Sequence, residues 1–446
     1  MSAHAESVRL QLATGPMRVS QLVECIGVSQ PTVSRALAAL GDEVVRVTRG
    51  RSIHYVLRDR SRGVNEVPVY RVSAEGALRE LGVLMPVRPD GFVMRQADGV
   101  TIHSDSLPWW LFDMRPQGYL GRAYASRHAT NLGLPSELNA WSDAHTLRAL
   151  LAHGHDVVGN LLLGERAREM FLSQPIVAPV PESQKPVFYE RLSIEAANGV
   201  SPGSSAGGEQ PKFLVFADTP SGPRHLIVKF TVAENNTVSE RWRDLLLAEH
   251  LALRLLDRTG VSAVQTRVLD SAGQRFLEVA RFDRVETLGR RGLFSLKALD
   301  AEFVGAGKGW TIIARALAAQ GQIEPTAVDQ VALLQAFGGL IGNTDMHTGN
   351  LSFMSEHGRP YQLAPAYDML PMAFAPSSGG ALPVTLPDAP IHADIAPSIW
   401  RRALSMAVDY VAELRAEPGF STNFAPCMDA LERHVASAAL KIGRLA

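Results

Sequence analysis

Between residues 212 and 280 the sequence writes two short strands, one long helix and two more strands, and few folds accept that order. Lys212–Phe216 and His225–Phe230 are apolar over strand length. Ser239 to Asp257 carries apolar residues at helical spacing, and Val264–Leu269 and Arg275–Ala280 return to the strand pattern. A Gly/Ser-rich turn at 201–208 precedes this block. The remainder to residue 446 reads as mostly helical, interrupted by loops at 343–351 and 364–371. A sheet-based lobe followed by a helical lobe is an α+β architecture. The apolar run Val331 to Ile341 contains Gln335 and two glycines and is too short to span a bilayer, so it reads as a buried helix.

The first helical-lobe loop carries Asn343-Thr344-Asp345-Met346-His347-Thr348-Gly349-Asn350. Phosphoryl transfer needs a carboxylate to orient an attacking hydroxyl and accept its proton. It also needs oxygen ligands to hold Mg²⁺ against nucleotide phosphates. An Asp and an Asn five residues apart on one loop, with a second Asp on a later turn, meet that need. Asp345 and Asn350 have the spacing, and Asp368, eighteen residues beyond Asn350 in Ala366-Tyr367-Asp368-Met369-Leu370, suits the second metal carboxylate. Amide and carboxylate oxygens are the hard donors Mg²⁺ prefers. His347 lies two residues after Asp345 and can reach a γ-phosphate. By itself the spacing is also what turn-forming residues give. Its weight comes from order along the chain.

That order begins at Ser204-Ser205-Ala206-Gly207-Gly208, where backbone N–H groups can cradle phosphates. Lys229 follows on Leu226-Ile227-Val228-Lys229-Phe230 as the strand lysine for phosphates, with Lys212 on the preceding strand as its rival. Glu249, in the long helix, is the candidate partner of Lys229. Ala280-Arg281-Phe282-Asp283-Arg284 ends a strand where a hinge would hold adenine. Each residue alone also fits a plain role: a solvated strand lysine, an exposed helix carboxylate, an ordinary turn.

The N-terminal sixty residues have a different grammar. Ser20 precedes Leu22-Val23-Ile26 and can cap a helix that Gly27 ends. Ser29 and Pro31 open a second helix carrying Val33, Leu37 and Leu40, and Gly41-Asp42 stops it. Strands Val44–Thr48 and Ile53–Leu57 then flank Arg49-Gly50-Arg51-Ser52. This is the order of a winged helix-turn-helix. Gln30, Thr32, Ser34 and Arg35 lie on the polar side of the second helix, where side chains meet base edges in a major groove. Arg46, Arg49, Arg51, Arg58, Arg60 and Arg62 cluster in and after the wing and suit phosphate contacts. Over 1–60, eight Arg oppose five acids, a net of +3. A wing used for protein docking is the competing reading. A winged helix that reads a palindrome works as a dimer, so a homodimer is expected.

Residues 64–170 yield only short strand-like runs, Val67–Val72 and Gly91–Met94. Leu107-Pro108-Trp109-Trp110 and Gly154 to Asn160 suggest no chemistry from residue types. Residues 173–186 hold Pro175, Pro179, Pro181 and Pro186 and read as a linker or extended crossing segment. The formal net charge of −1 gives the whole chain no case for nucleic acid or membrane, so any such case is local. Cys25 and Cys427 form no metal-ligand spacing and point to a reducing, cytoplasmic setting. No signal-peptide pattern or bilayer-length apolar stretch is present.

Taken together, Ser204-x-Ala-Gly-Gly-Glu-Gln-Pro-Lys212, Glu278-Val-Ala-Arg-Phe-Asp-Arg284, Thr344-Asp-Met-His-x-Gly-Asn350 and Tyr367-Asp-Met-Leu370 resemble the HipA family of toxin kinases from bacterial toxin–antitoxin systems. With the helix-turn-helix in front, the chain looks most like the YjjJ-like subgroup. The resemblance implies a HipA-like two-lobed protein-kinase fold with a mainly helical C-terminal lobe. It divides the chain into a winged helix-turn-helix (1–62), a HipA N-terminal-like subdomain (64–172), a kinase N-lobe (173–282) and a helical C-lobe (283–446).

The activity implied is ATP- and Mg²⁺-dependent transfer to a protein serine or threonine, with an aminoacyl-tRNA synthetase as the suggested substrate. Asp345 would be the catalytic base, assisted by His347, and Asn350 and Asp368 would hold Mg²⁺. ATP would be held by Ala206, Gly207, Gly208, Glu209, Gln210, Lys212, Lys229, Glu249, Ala280, Arg281, Phe282, His347, Asn350, Tyr367 and Asp368. Ser204, or Ser205 beside it, matches the loop serine that family members autophosphorylate. The fused domain would bind operator DNA through Gln30, Thr32, Ser34, Arg35, Arg49 and Arg51. The chain departs from the family pattern at Gly349, often a lysine, and at an extra loop residue with Pro211 before Lys212. Two alternatives stand beside this reading: a DNA-binding regulator with an ATP-sensing, catalytically weak kinase domain, and a small-molecule phosphotransferase.

Overall fold

The computed structural model describes residues 3–50, 52–64, 66–175, 177–198, 210–356 and 358–445. The chain divides into two compact units. One comprises 1–73, 77–115 and 141–174; the other comprises 74–76, 116–140 and 175–446.

In the first unit, helices α1 (Ala3–Leu12), α2 (Val19–Ile26) and α3 (Gln30–Leu40) precede hairpin strands β1 (Val44–Arg49) and β2 (Ser52–Leu57). Ala5, Val8, Leu12, Leu22, Val33, Leu37 and Leu40 form one small core. Gly27 closes α2 at φ 73°, a conformation glycine adopts without Cβ strain. The expected caps differ in detail. Ser20 lies inside α2, whose start is tied by the Arg18 N–H donating to Gln21 Oε1 at 2.9 Å. Ser29 does sit at the start of α3, but its hydroxyl meets Thr32 Oγ1 at 3.0 Å instead of a backbone N–H.

Behind the hairpin lies an antiparallel sheet of five strands, ordered β6-β5-β4-β3-β7. Its members are β3 (Val67–Val72), β4 (Leu78–Pro86), β5 (Phe92–Gln96), β6 (Thr101–Ser104) and β7 (Leu161–Leu163). Val47 and Val56 of the hairpin share a second core with Met85, Val87 and Val93 of this sheet. The wing is therefore packed on both faces. Helices α5 (Asp143–His153) and α6 (Gly164–Leu172) complete the unit, while α4 (Gly118–His128) belongs to the other.

The second unit starts its sheet after α7 (Lys185–Asn198), a helix that the proline-rich stretch before it conceals from sequence patterning. Strands β8 (Lys212–Ala217), β9 (Arg224–Phe230), β10 (Thr266–Ser271) and β11 (Gln274–Ala280) form an antiparallel sheet ordered β10-β11-β9-β8. Helix α8 (Thr237–Arg258) links β9 to β10, as its apolar spacing predicts, and buries Leu245, Leu246, Leu251, Leu255 and Leu256. Glu278 on β11 is buried and meets Lys185 Nζ and Tyr189 Oη of α7, each at 2.7 Å. One buried carboxylate thus fixes α7 to the sheet.

Two small sheets follow: β12 (Arg284–Val285) pairs with β13 (Gly289–Arg290), and β14 (Gly292–Ser295), β15 (Ser352–Ser355) and β16 (Gln362–Leu363) form three strands in that order. Helices α9 (Leu296–Phe303), α10 (Trp310–Ala319), α11 (Ala327–Leu340), α12 (Pro397–Ala416) and α13 (Ala425–Ile442) build the helical part. Helix α11 is buried as its sequence required. Among the described residues, no helix is long and apolar enough to cross a membrane.

Candidate active site

Strand β9 and helix α8 place the first two groups. Lys229 is buried, and its Nζ lies 2.7 and 2.8 Å from the two carboxylate oxygens of Glu249. The same Nζ donates to Asp368 Oδ1. Glu249 is 1% exposed and Asp368 34% exposed, so one acid anchors the lysine inside while the other faces outward. Burial works against the charge of Lys229, but Asp368 and Glu249 outweigh it and hold its pKa above the usual lysine value. Burial pushes Glu249 above the usual carboxylate range, with Lys229 pulling the other way. Burial also opposes the charge of Asp368, yet Lys229 and then Lys212 hold it below that range. Asp368 is thus kept ionised, the form that receives a cation.

Lys212 and Lys229 are cross-strand partners on β8 and β9. Glu249 takes Lys229, while Lys212 adds positive potential to both acids.

The loop after α11 sets Asp345 by way of a residue that sequence reasoning overlooked. Asn343 is buried. Its Oδ1 accepts the Asp345 N–H at 3.1 Å, and its Nδ2 donates to the Asp368 carbonyl at 3.2 Å. One carboxamide therefore spans the backbones of both acids. An Asn two residues before an Asp is an Asx-turn signal, so the first contact was legible, whereas the second needed the fold. Asp368 has φ 52°, a left-handed conformation that Asp tolerates better than most residues and that the Asn343 bond helps retain.

Asn350 Nδ2 donates to the Asp345 carbonyl at 2.8 Å, which leaves its Oδ1 as the available ligand atom. His347 Nδ1 accepts the Gly349 N–H at 3.0 Å, so a neutral ring carries its proton on Nε2, 4.0 Å from Asp345 Oδ1. The Trp310 indole N–H donates to the His347 carbonyl at 3.2 Å. Tyr367 Oη donates to the Gly349 carbonyl at 3.0 Å and meets Ser352 Oγ at 2.7 Å. Its ring centroid lies 5.7 Å from that of Phe282, two residues beyond the end of β11. Tyr367 thus joins the expected hinge to the loop bearing Asn350. A Cβ on Gly349 would fall 2.9 Å from His347 Nδ1, so glycine there permits the imidazole placement and not only the absence of a lysine charge.

At the hinge, the Ala280 N–H donates to the Gln265 carbonyl at 2.9 Å and the Arg281 N–H to the His225 carbonyl at 2.9 Å. The Arg281 guanidinium pairs with Asp283 through two 2.9 Å bonds. Gln210 donates through Nε2 to the Phe230 carbonyl. Ser204, Ser205, Ala206, Gly207, Gly208 and Glu209 lie outside the described residues.

Asn350 Oδ1 and the Asp368 carboxylate form a hard-oxygen donor pair suited to Mg²⁺, which takes its remaining ligands from phosphates and water. Among the described residues no cluster of three or more His, Cys, Asp or Glu could hold a metal alone.

In the helix-turn-helix, Gln30, Ser34 and Arg35 are exposed on α3 opposite its buried face, and Thr32 is half-buried with its hydroxyl engaged by Ser29. Arg51 and the Arg49 side chain lie outside the described residues. Half of the wing cluster is used internally. Arg58 pairs with Glu66 at 3.1 Å, Arg60 with Asp42, and Arg62 with Asp59 at 3.0 Å and the Val87 carbonyl at 2.9 Å. The side chains of Arg58 and Arg62 are largely covered and committed to these partners, whereas the Arg60–Asp42 pair is exposed. Arg46 is exposed.

The fold and this site define a HipA-like protein of the kinase-fold class carrying an N-terminal helix-turn-helix. Comparisons with known proteins agree. Residues 10–43 match the model of bacterial regulatory proteins of the arsR family, 63–172 the YjjJ-like toxin middle domain, and 204–417 the HipA-like C-terminal domain. The chain is 36% identical over 437 residues to Toxin YjjJ of Escherichia coli (strain K12), covering 97% of this chain and 98% of that one. It is also similar to a chain of the Shewanella oneidensis MR-1 toxin–antitoxin complex of HipA, HipB and operator DNA, with TM-score 0.55 and 16% identity over 85% of this chain and 97% of that one. That likeness speaks for the fold alone. The chain belongs to the YjjJ-like toxin family, whose C-terminal part is HipA-like.

Proposed function

We propose that this protein is an ATP-dependent serine/threonine protein kinase that transfers the γ-phosphoryl group to a protein hydroxyl. The observation that carries the reading is the Lys229–Glu249–Asp368 cluster, joined through Asn343 to the loop of Asp345 and Asn350. A strand lysine braced by a helix glutamate positions nucleotide phosphates, and Lys212 adds a second cation beside it. Asp345, half-exposed and fixed through its backbone, accepts the proton of the attacking hydroxyl. His347 presents an N–H from the neighbouring position. Asn350 and Asp368 would hold Mg²⁺, which when bound neutralises charge on the transferring phosphoryl group.

Phe282 and Tyr367 mark the adenine side, with the backbone of Ala280 and Arg281. Ala206 to Gln210 form the phosphate loop in this reading, and Ser204 or Ser205 is the autophosphorylated residue. The retention of all three chemical groups supports transfer over mere nucleotide sensing. Gln30, Ser34, Arg35 and Arg46 support operator binding by the fused domain, as a homodimer on a palindromic site. The relative from Shewanella is seen with a separate protein, HipB, and operator DNA. Here the fused domain would supply the DNA contact itself. An aminoacyl-tRNA synthetase is the substrate that the family resemblance suggests.

The test is incubation of purified protein with Mg-ATP, followed by mass spectrometry of the peptide spanning 201–212. Phosphate on Ser204 or Ser205 in wild type and none in Asp345→Ala is the expected result. Equal labelling of both, or none in either, would sink the reading.

A further inference from the structure

The chain holds six lysines against 38 arginines, so a lysine is its uncommon cation. Lysine is a compact point charge on a flexible stem, suited to an oxyanion whose position varies from one partner to the next. Four of the six are already placed. Lys185 pairs with Glu278 at 2.7 Å and Lys441 with Asp388 at 2.9 Å, while Lys212 and Lys229 stand together on β8 and β9. The other two, Lys297 and Lys308, both fall between Leu296 and Trp310, and both are exposed.

That segment clasps the loop after Asp345 at two points. The Leu296 N–H donates to the Leu351 carbonyl at 2.7 Å, and the Trp310 indole N–H to the His347 carbonyl at 3.2 Å. Lys297 follows the first anchor by one residue, and Lys308 precedes the second by two. The backbone around Lys308 is fixed. Asp300 is buried, and its carboxylate accepts the N–H groups of Ala306 and Gly307 at 2.9 and 2.8 Å. Behind the buried Trp310, Thr311 donates its N–H and hydroxyl to Gln335 at 2.8 and 2.9 Å. Among the described residues, no hydrogen bond or ion pair engages Lys308. The acids of the segment are otherwise occupied, Asp300 by those backbone groups and Glu302 by the field of Arg359.

We infer that Lys297 and Lys308 select a protein substrate that carries Asp or Glu within a few residues of its serine or threonine, with Lys308 the leading contact. Asp345 and His347 are each more than half exposed, so an acceptor segment meets them from solvent. An acidic segment arriving there is repelled by the Asp345 carboxylate, and two cations flanking the loop offset that repulsion. The phosphates of ATP already have Lys229 and Lys212, which leaves these two lysines to the acceptor. The inference rests on the kinase reading and deepens it by naming the charge of the substrate segment.

The experiment uses the full chain, Mg-ATP and serine-centred decapeptides with Glu, Ala or Lys at the flanking positions. Nucleotide affinity is measured in parallel with a fluorescent ATP analogue. Wild type is expected to favour the Glu peptides through KM, with kcat alike across the set, and added salt should erode the preference. Lys308→Ala should raise KM for the Glu peptides about fivefold, and Lys297→Ala/Lys308→Ala about tenfold, the order given by one and two exposed ion pairs. Lys308→Arg should keep the preference, and Lys308→Glu should turn it toward the Lys peptides, a reversal that damage to the fold would not produce. Nucleotide affinity should stay unchanged throughout. A wild type indifferent to flanking charge or drawn to the Lys peptides, or KM values unmoved by Lys308→Ala and Lys308→Glu, overturns the inference. Weakened nucleotide affinity in Lys308→Ala would give this lysine to ATP and overturn it as well. A protein that autophosphorylates but labels no peptide also overturns it and leaves the kinase reading standing. One that neither binds Mg-ATP nor transfers phosphate defeats both.

Discussion

The two basic regions of the chain meet different fates. On β8 and β9, Lys229 finds its acids far away in sequence, Glu249 at 20 residues and Asp368 at 139. In and after the wing, Arg62 finds Asp59 three residues back, and Arg60 finds Asp42 eighteen back. A local acid neutralises a base wherever it sits and leaves a structural clamp. Acids brought from distant elements build a site, because the fold has to bring them there. Counting charge over a sequence window cannot separate the two cases, and that is why the wing looked more basic than it is.

Four predictions break or sharpen this contrast. The largest effect belongs to the long-range site. Asp345→Ala should lower phosphoryl transfer by about 10²–10⁴-fold, measured under saturating Mg-ATP, with unchanged thermal stability because its side chain is half-exposed. Next, Lys229→Ala leaves Glu249 buried without its cation and should cost about 3–5 kcal/mol in urea unfolding. The double substitution Lys229→Ala/Glu249→Ala should recover part of that loss. A single substitution with no stability cost would show that the cluster is not the buried pair described.

The local clamp is weaker. Asp59 is buried; burial raises its pKa, but bonds from Ser61 and then Arg62 outweigh this and hold it below the usual value. A carboxyl depressed in the folded state contributes stability that is present above its unfolded value and lost as pH falls through the folded one. Asp59→Asn should therefore cost about 1.5–3 kcal/mol at pH 7, and the difference from wild type should vanish well below pH 3.8. A gap that persists unchanged in acid would assign the effect to packing. The smallest effect separates free from committed arginines. Arg46→Ala should flatten the salt dependence of operator binding by a slope of about 0.9, and Arg62→Ala should leave that slope unchanged while lowering stability. Equal slopes for the two variants would erase the distinction.

Much of the fold was legible. Strands β1, β2, β3, β8, β9 and β11 and helices α2, α3 and α8 fall where periodicity puts them, since each has one clear apolar face or run. Strands β4, β6 and β7 were not recovered. Strand β4 opens on the exposed Arg79 and Glu80 and ends in a buried run with no alternation, and β6 and β7 are too short to show a period. Helix α7 was hidden by Pro186, which sits in its first turn where proline is tolerated.

At the candidate site the sequence by itself supplied the groups on which the proposed function rests. Asp345, Asn350, Asp368, Lys229 and Glu249 were singled out from type and order, because the proposed phosphoryl transfer would restrict both. Only the tertiary structure decided which lysine takes Glu249, that Asn343 joins the two acids, and that Tyr367 connects hinge to loop. It also decided that Arg58, Arg60 and Arg62 are already occupied. The physical reason is common to all of these. A residue's type fixes what bonds it can make, but a hydrogen bond or ion pair forms only within about 3 Å, and only the folded chain sets that distance.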